Sequence, residues 1–207
     1  MPFVFKVIFL IFVLNTSVSG ECGGEFNQFV ENIKKEAQEI GYTEKIVNTF
    51  FENVSLNPQV LEADRAQGIF LKPFNEFAPR LINDYRMKHG KINLKKYSST
   101  FNEIEKAFGV SRGVLTSFWA LETDFGAVQG NFNTRDALVT LAFDCRRPFL
   151  FRPQIFAALE LFSRNEFNPS TTKGAWAGEI GMVQMLPKDI LENGVDADED
   201  GTINLQS

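Results

Sequence analysis

Apolar residues recur at three- and four-residue intervals through most of the chain, and this spacing limits the possible fold more than any other feature. It predicts helices over residues 26–40, over residues 74–87 with an end near Gly90, and over residues 153–164. Four more predicted helices begin at Thr43, Ser99, Ser111 and Thr134. No segment shows sustained strand alternation, so the predicted fold class is mainly α, with residues 174–184 as an irregular, glycine-punctuated loop.

The length of 207 residues fits one or two domains. A polar segment, residues 88–99, is the best candidate for a boundary between them. We therefore expect a small N-terminal helical domain over residues 21–95. Residues 96–207 are expected to form the core that holds the chemistry.

The first twenty residues have the pattern of a signal peptide, with Lys6 near the start, an apolar run, and small polar residues before Glu21. The apolar run is shorter than the roughly 20 residues that a membrane-spanning helix needs. Glu21 directly precedes Cys22, where a lipid-modification site requires a small residue. We expect an exported protein without stable membrane insertion once residues 1–20 are removed.

The charge balance argues against a nucleic-acid partner. The formal net charge is -5, and it becomes -6 without the first twenty residues. Cys22 and Cys145 are the two cysteines; either they form a disulfide, or one is a buried thiol and the other a reactive exposed one. The single histidine, His89, is predicted in a polar turn, which disfavours a Cys/His or Ser/His nucleophile pair.

The predicted helix from Ser111 ends in the sequence ALETDFG, which contains Glu122. Val114, Phe118 and Glu122 recur every four residues, so the carboxylate is expected on the apolar, buried stripe. Burial and the negative end of the helix dipole would both disfavour the ionised form. A carboxyl that keeps its proton can protonate a leaving oxygen, as glycosidic cleavage requires. The alternative is a glutamate exposed to solvent at a helix end.

Three motifs occur together in a specific order: ALETDFG, then DALVTLAFDCRR, then GMVQMLP. With the intervening residues they resemble the MltB-type family of lytic murein transglycosylases, a lysozyme-like group, from Phe108 to the end of the chain. The resemblance implies a lysozyme-like core with Glu122 as catalytic acid/base. It further implies cleavage of the bond between N-acetylmuramic acid and N-acetylglucosamine with a 1,6-anhydro product, no cofactor for the chemistry, and a monomer acting on periplasmic peptidoglycan.

The same resemblance implies that Gln184 contacts the sugar and that Arg146 and Arg147 lie near the glycan or its anionic peptide. This chain departs from the family at Ala175, where relatives often carry a hydroxyl. Trp176 can instead offer a face for sugar stacking, or serve as a core aromatic. Relatives commonly have an aromatic where this chain has Cys145, a departure that favours a disulfide with Cys22.

The sequence DADEDGTI places Asp196, Asp198 and Asp200 at positions 1, 3 and 5 of an EF-hand-like loop. A structural Ca²⁺, with the carbonyl of Thr202 as a further ligand, would neutralise their repulsion. The alternative is a solvated acidic turn. Ser207 stands at the position of the last ligand, and relatives continue past it, so we expect the core to be truncated at the C-terminus.

Two other functions stay open. A hydrolytic, lysozyme-like glycosidase would need a second carboxylate to activate water. Asp124 would point away from Glu122 on a helix, whereas Asp136, Asp144 and Glu179 are candidates. The other possibility is a degenerate, non-catalytic peptidoglycan-binding fragment.

Overall fold

The computed structural model describes residues 22–67 and 73–204. The predicted signal peptide and Ser207 lie outside these residues. The described part is mainly α-helical, as predicted, with one two-stranded antiparallel sheet. The elements are α1 (Phe26–Glu39), α2 (Glu44–Phe50), α3 (Pro58–Arg65), α4 (Phe74–Leu81), α5 (Asp84–Lys96), α6 (Ser98–Phe108), α7 (Arg112–Thr123), β1 (Phe132–Asn133), α8 (Thr134–Phe143), α9 (Pro148–Ser163), β2 (Lys173–Gly174) and α10 (Pro187–Asn193).

The main hydrophobic core lies between α8 and α9, with α1, α2, α3 and α10 packed around them. Helix α8 is buried on almost every side, and its buried residues include the polar Thr134, Arg135 and Thr140 as well as its apolar ones. Phe26 and Phe29 of α1 contact Phe143 edge to face, with ring centroids 5.4 and 5.5 Å from it. The burial of Phe29, which is 3% exposed, contributes about 1.5–3 kcal/mol. The N-terminal helices therefore help to form the same core as α8 and α9.

Helices α5, α6 and α7 contact one another and form the second packed group. Helix α5 lies close to α7 at Gly90, where an added Cβ would be 3.6 Å from Thr116 Cγ2 and 3.7 Å from Phe125 Cζ. Arg86 of α5 also forms an ion pair with Asp124, directly after α7. This group positions the helix that carries Glu122.

Several predicted boundaries were wrong. The segment 74–87 is not one helix: the chain leaves α4 at Ile82, and Asn83 caps α5 by accepting a hydrogen bond from the Arg86 N–H. Helix α5 continues past Gly90 to Lys96, so His89 is helical rather than in a turn. Asn133, not Thr134, caps α8. Helices α3 and α10, which begin with prolines, were not predicted.

The predicted boundary segment 88–99 is helical, since α5 and α6 cover nearly all of it. The contacts of α1 and α3 with α8 cross the proposed division at residue 95. The two-domain division stays a prediction.

Cys22 and Cys145 form a disulfide, with their Cα atoms 5.1 Å apart. The backbone N–H of Gly23 donates to the carbonyl of Phe143 over 2.8 Å, so the main chain is held to the end of α8 beside the disulfide. Of the two possibilities for the cysteines, the structure confirms the bridge. Within the described ranges, no helix is long and apolar enough to cross a membrane.

Candidate active site

Helix α7 carries Glu122 in its last turn. Ser111 caps the helix by accepting a hydrogen bond from the Val114 N–H. The buried face consists of Thr116, Ala120 and Thr123, whereas Val114 and Phe118 are 47% and 59% exposed and Glu122 is also exposed. The prediction that Glu122 is buried was therefore wrong. Helix α5 packs against α7, whose small residues face the interior and whose larger apolar stripe stays outside.

The turn after Glu122 is fixed by hydrogen bonds on both sides. The Thr123 hydroxyl donates to the carbonyl of Met182 over 2.6 Å and accepts from the Gly126 N–H over 2.9 Å. Asp124 ends the helix in the left-handed region, with a φ of 49°, and its carboxylate accepts from Arg86. Glu122 thus projects from a backbone that is tied to the loop over residues 174–185.

The loop over residues 174–185 includes the predicted irregular segment 174–184, is largely irregular, and is hydrogen-bonded through Met182 to the end of α7. Its start is paired with β1, where Phe132 lies opposite Gly174. Gly130 is required there, because a Cβ at this residue would lie 2.1 Å from the carbonyl oxygen of Gly174. An isolated bridge between Ile180 and Met185 closes the far end.

Gln184 and Trp176 both take part in the internal structure of the loop. Gln184 has a φ of 54°, and its amide nitrogen donates to the carbonyls of Gly181 over 2.8 Å and Gln129 over 3.3 Å. Trp176 is partly buried and packs against the hydrophobic core. The structure therefore supports a structural role for each residue, and a sugar contact stays a prediction.

Glu179 lies in the same loop, and of the candidate site residues it is the one that the sequence pattern indicated most weakly. Its Oε2 atom is buried and has no hydrogen-bond partner. Burial, chiefly, raises the pKa of the Glu179 carboxyl; the charge of Glu122 raises it further, whereas backbone N–H groups and Arg147 lower it. The structure thus brings Glu179 into electrostatic interaction with Glu122. In the sequence, Glu179 is marked only by its position between Gly178 and Gly181.

The other candidate carboxylates are occupied elsewhere. Asp124 pairs with Arg86, Asp136 with Arg135, and Asp144 with Arg65. The pairs of Asp124 and Asp144 join neighbouring helices, whereas the pair of Asp136 lies within α8. Glu179 is left as the candidate that interacts electrostatically with Glu122.

Arg146 and Arg147 both form ion pairs with Asp64 of α3. The Asp64 side chain is 1% exposed, whereas those of Arg146 and Arg147 are 46% and 32% exposed. The Arg147 guanidinium also lies 5.0 Å from the ring centre of Phe151 and interacts with Glu179. A buried carboxylate thus holds Arg146 and Arg147 in place, and both arginine side chains stay partly exposed.

The aspartates of the EF-hand-like loop converge. Carboxylate oxygens of Asp196, Asp198 and Asp200 lie within 4.8 Å of one another. Backbone N–H donation, first from Gly201, lowers the pKa of the Asp196 carboxyl. The Thr202 N–H and hydroxyl both donate hydrogen bonds to Asp200. The carbonyl oxygen of Thr202 is therefore the atom of this residue that can coordinate a cation. Three carboxylates and a carbonyl are the ligands that Ca²⁺ prefers, so these residues fit that cation.

Residues 25–207 match the protein family described as "Transglycosylase SLT domain". The chain is 28% identical over 130 residues to membrane-bound lytic murein transglycosylase B of Escherichia coli (strain K12), and that match covers 62% of this chain and 36% of the relative.

Solved structures with the same fold include SltB3 from Pseudomonas aeruginosa in complex with NAG-NAM-pentapeptide. Its TM-score is 0.82 at 28% identity, covering 89% of this chain and 50% of that one. SltB1 from the same organism has a TM-score of 0.79 at 29% identity, over 87% of this chain and 61% of its own. The Escherichia coli lytic transglycosylase Slt35, solved in complex with calcium, shares the fold with a TM-score of 0.75 at 24% identity, over 89% of this chain and 60% of its own. In each case the match spans less than two thirds of the relative's length.

Proposed function

The chain belongs to the transglycosylase SLT domain family, and from this premise we propose that it is a peptidoglycan lytic transglycosylase that cleaves the β-1,4 bond between N-acetylmuramic acid and N-acetylglucosamine. The observation that carries the proposal is the position of Glu122. It is an exposed carboxyl on a rigid helix end, hydrogen-bonded through Thr123 to the loop over residues 174–185. SltB3, solved with a NAG-NAM-pentapeptide, supports the same substrate class.

Glu122 would act twice in the reaction. As an acid it gives its proton to the glycosidic oxygen, and the bond from that oxygen to C1 of the muramic acid breaks. As a carboxylate it then takes the proton of the 6-hydroxyl, whose oxygen forms the new bond to C1. The proton is restored to Glu122 and the product is a 1,6-anhydro sugar. No water and no enzyme nucleophile are consumed, so one carboxyl suffices for the bond changes.

The surrounding residues would hold the glycan. Trp176 offers the exposed part of its ring to a sugar face, and Gln184 keeps the loop wall in shape. Arg146 and Arg147, positioned by Asp64, would attract the carboxylates of the peptide stem. Val114, Phe118 and Leu121 line a shallow apolar cavity along the exposed face of α7.

The hydrolytic alternative has less support. The candidate carboxyl that interacts with Glu122 is Glu179, and burial raises the pKa of Glu179. A general base must reach the water from which it takes a proton, whereas the Oε2 atom of Glu179 is buried. The burial of this oxygen therefore disfavours water activation by Glu179.

Product chemistry tests the proposed function. The protein is incubated with purified peptidoglycan and the soluble products are separated by mass. A transglycosylase releases muropeptides that are 18 Da lighter than the hydrolytic products, because the anhydro ring replaces a reducing end. Reducing ends would establish the hydrolase instead, and binding to insoluble peptidoglycan without any release would establish the non-catalytic binder.

The proposal includes a structural Ca²⁺ in the EF-hand-like loop, held by Asp196, Asp198, Asp200 and the Thr202 carbonyl. The cation has no part in bond cleavage; it would neutralise the three converging carboxylates.

We expect millimolar Ca²⁺ to stabilise the protein by about 1–3 kcal/mol, if the dissociation constant lies ten- to a hundredfold below the ion concentration. Thermal unfolding with Ca²⁺, with Mg²⁺ and with a chelator measures the effect. Asp200→Asn should lose most of the shift, whereas Asp189→Asn on α10 should keep it. An equal shift in both variants would mean that calcium binds elsewhere.

We further propose that the protein is exported to the periplasm and acts there. The disulfide between Cys22 and Cys145 supports export, since such bonds persist in oxidising compartments. A monomer that contacts glycan strands and no nucleic acid remains the expected state.

A further inference from the structure

Helix α5 concentrates positive charge in a chain whose net charge is negative. Within 13 positions it holds five of the 21 Lys and Arg residues but only one of the 26 Asp and Glu residues. Lys88, Lys91 and Lys95 follow one another at intervals of three and four residues, so they share one face of the helix. All three are exposed, and within the described residues none has an ion-pair or hydrogen-bond partner for its ammonium group. This lysine stripe can therefore bind an anion.

Exposed apolar side chains border the lysine stripe. By the helix period Met87 and Ile92 lie on opposite sides of it, and they are 51% and 48% exposed. Ile82, in the break between α4 and α5, is 64% exposed. A lysine face that is merely solvated needs no such neighbours, and covering them would be favourable. We call this surface the docking face; it consists of Ile82, Met87, Lys88, Lys91, Ile92 and Lys95.

A cavity of about 450 Å³ lies beside the docking face, between the end of α4, α5 and α7. Ile82, Met87 and Lys91 belong to its lining as well as to the docking face, and Leu94 and Leu121 add apolar side chains. The volume is within the roughly 300–1,000 Å³ of pockets that bind small apolar ligands. A cationic edge next to an apolar cavity matches an anionic amphiphile, whose charge lies at one end of a hydrocarbon chain.

We propose that the docking face binds the surface of a phospholipid bilayer that contains anionic lipids. The lysine stripe attracts the lipid phosphates, and the exposed apolar side chains enter the boundary between head groups and acyl chains. The contact is peripheral and reversible. The inference goes beyond the proposed function and does not depend on it, since no glycan takes part. Held in this way, the protein would reach the peptidoglycan nearest to that membrane.

The local charge of α5 outweighs the net charge of the chain at close range. The net charge of -5 repels an anionic surface, but physiological salt screens exposed charges that are more than about 8 Å apart. The lysine stripe acts within that distance, and each lysine strengthens binding to an anionic membrane about fivefold, or about 100-fold for three. Asp84, in the first turn of α5, opposes them with one negative charge.

Other occupants fit the docking face less well. A second copy that paired through the same face would bring two lysine stripes together, and their charges would repel. An anionic polymer, such as the peptide stems of peptidoglycan, would neutralise the lysines but leave the three apolar side chains in water. An anionic bilayer meets both requirements of the docking face.

Flotation with lipid vesicles tests the charge requirement. The full chain is mixed with vesicles of phosphatidylglycerol or of phosphatidylcholine, and the ratio of the two partition coefficients is measured. The test variant removes the lysine stripe: Lys88→Gln, Lys91→Gln and Lys95→Gln. The control removes the same charge from exposed positions on α1, α2 and α6: Lys35→Gln, Lys45→Gln and Lys106→Gln.

We expect the wild type to prefer the anionic vesicles, the test variant to lose about 100-fold of that preference, and the control to keep it within about threefold. Residues 1–20 are the same in every variant, so they do not account for a difference between variants. Thermal unfolding shows whether each variant is folded. An equal loss in both triple variants, or a wild type without preference, would overturn the proposal.

A fluorophore tests whether the docking face itself meets the bilayer. Ile92→Cys is labelled with an environment-sensitive dye, which the native cysteines do not take up because they are joined in the disulfide. The emission should shift to the blue with phosphatidylglycerol vesicles, and a label at Lys45→Cys on α2 should not shift. Bound vesicles without a shift at residue 92 would place the contact elsewhere and overturn the proposal.

The apolar side chains distinguish a bilayer from an anionic polymer. Ile82→Gln with Ile92→Gln should weaken binding to phosphatidylglycerol vesicles about tenfold, because two partly buried side chains are lost from the contact. Binding to purified peptidoglycan should not change. Lysine-dependent binding to peptidoglycan without binding to the vesicles would assign the docking face to a polymer instead. Release of anhydro products enters none of these tests, so the proposed function and the docking face can fail separately.

Discussion

Glu122→Gln is expected to lower the rate of anhydro-muropeptide release by about 10²- to 10⁴-fold, the usual contribution of a general acid and base. Glutamine keeps the shape of the side chain but can neither give a proton to the glycosidic oxygen nor take one from the 6-hydroxyl. Since Glu122 is exposed and is not part of the core, thermal unfolding should be unchanged within about 1 °C. Release of muropeptides, measured by mass spectrometry at several pH values, gives the rate.

Two further variants sharpen this prediction. Glu103→Gln removes an exposed glutamate from α6 and should leave the rate unchanged, which controls for the loss of one negative charge. Glu122→Asp keeps the carboxyl but withdraws it by one methylene. Because hydrogen bonds of Thr123 fix the backbone, the helix end cannot advance to compensate, and about 10²-fold should be lost. A Glu122→Gln rate within twofold of wild type would assign the acid to another residue.

Local sequence signals located most of the helices correctly. Thr43 and Ser111 cap α2 and α7 through the hydrogen bonds that their residue types predict. Gly109 adopts a φ of 70° and ends α6, as its position after an apolar run indicates. Each of these features depends on neighbours within four residues, which is why the sequence alone determines them.

A single tertiary contact explains two of the wrong predictions. Gly90 normally favours a helix end, but here it lies buried against Thr116 and Phe125, and packing outweighs the propensity. The same contact buries the small face of α7 and exposes the stripe that includes Phe118 and Glu122. The pattern of apolar residues could not reveal which face a neighbouring helix would cover.

Sequence patterns also could not predict which charged residues pair at the site. Asp64 and Arg147 are 83 residues apart, and nothing near Asp64 marks it as the buried anchor of the arginine pair. Glu179 could be named as one of three carboxylates, but only the fold of the loop over residues 174–185 couples it to Glu122. Contacts between distant segments depend on the complete packing, whereas caps and helix ends do not.

Replacing both cysteines, as Cys22→Ala with Cys145→Ala, is expected to lower the free energy of unfolding by up to about 5 kcal/mol. The bridge joins residues 123 positions apart, and the chain-entropy model assigns that value to a loop of this length. Urea unfolding of the oxidised wild type and of the double variant measures the difference. The wild type under strong reductant should match the double variant, which separates the bridge from any effect of the substitutions.

The native fold should nevertheless survive in the double variant. The Gly23 N–H bond to Phe143 and the contacts of Phe26 and Phe29 with the same residue hold the N-terminal segment in place without the bridge. The loss therefore arises mainly in the unfolded chain, which gains freedom when the loop is opened. Muropeptide release at 15 °C should stay within about twofold of wild type, with unfolding at a lower urea concentration. A large loss of activity in the folded double variant would instead mean that the bridge positions Arg146 and Arg147, which directly follow Cys145.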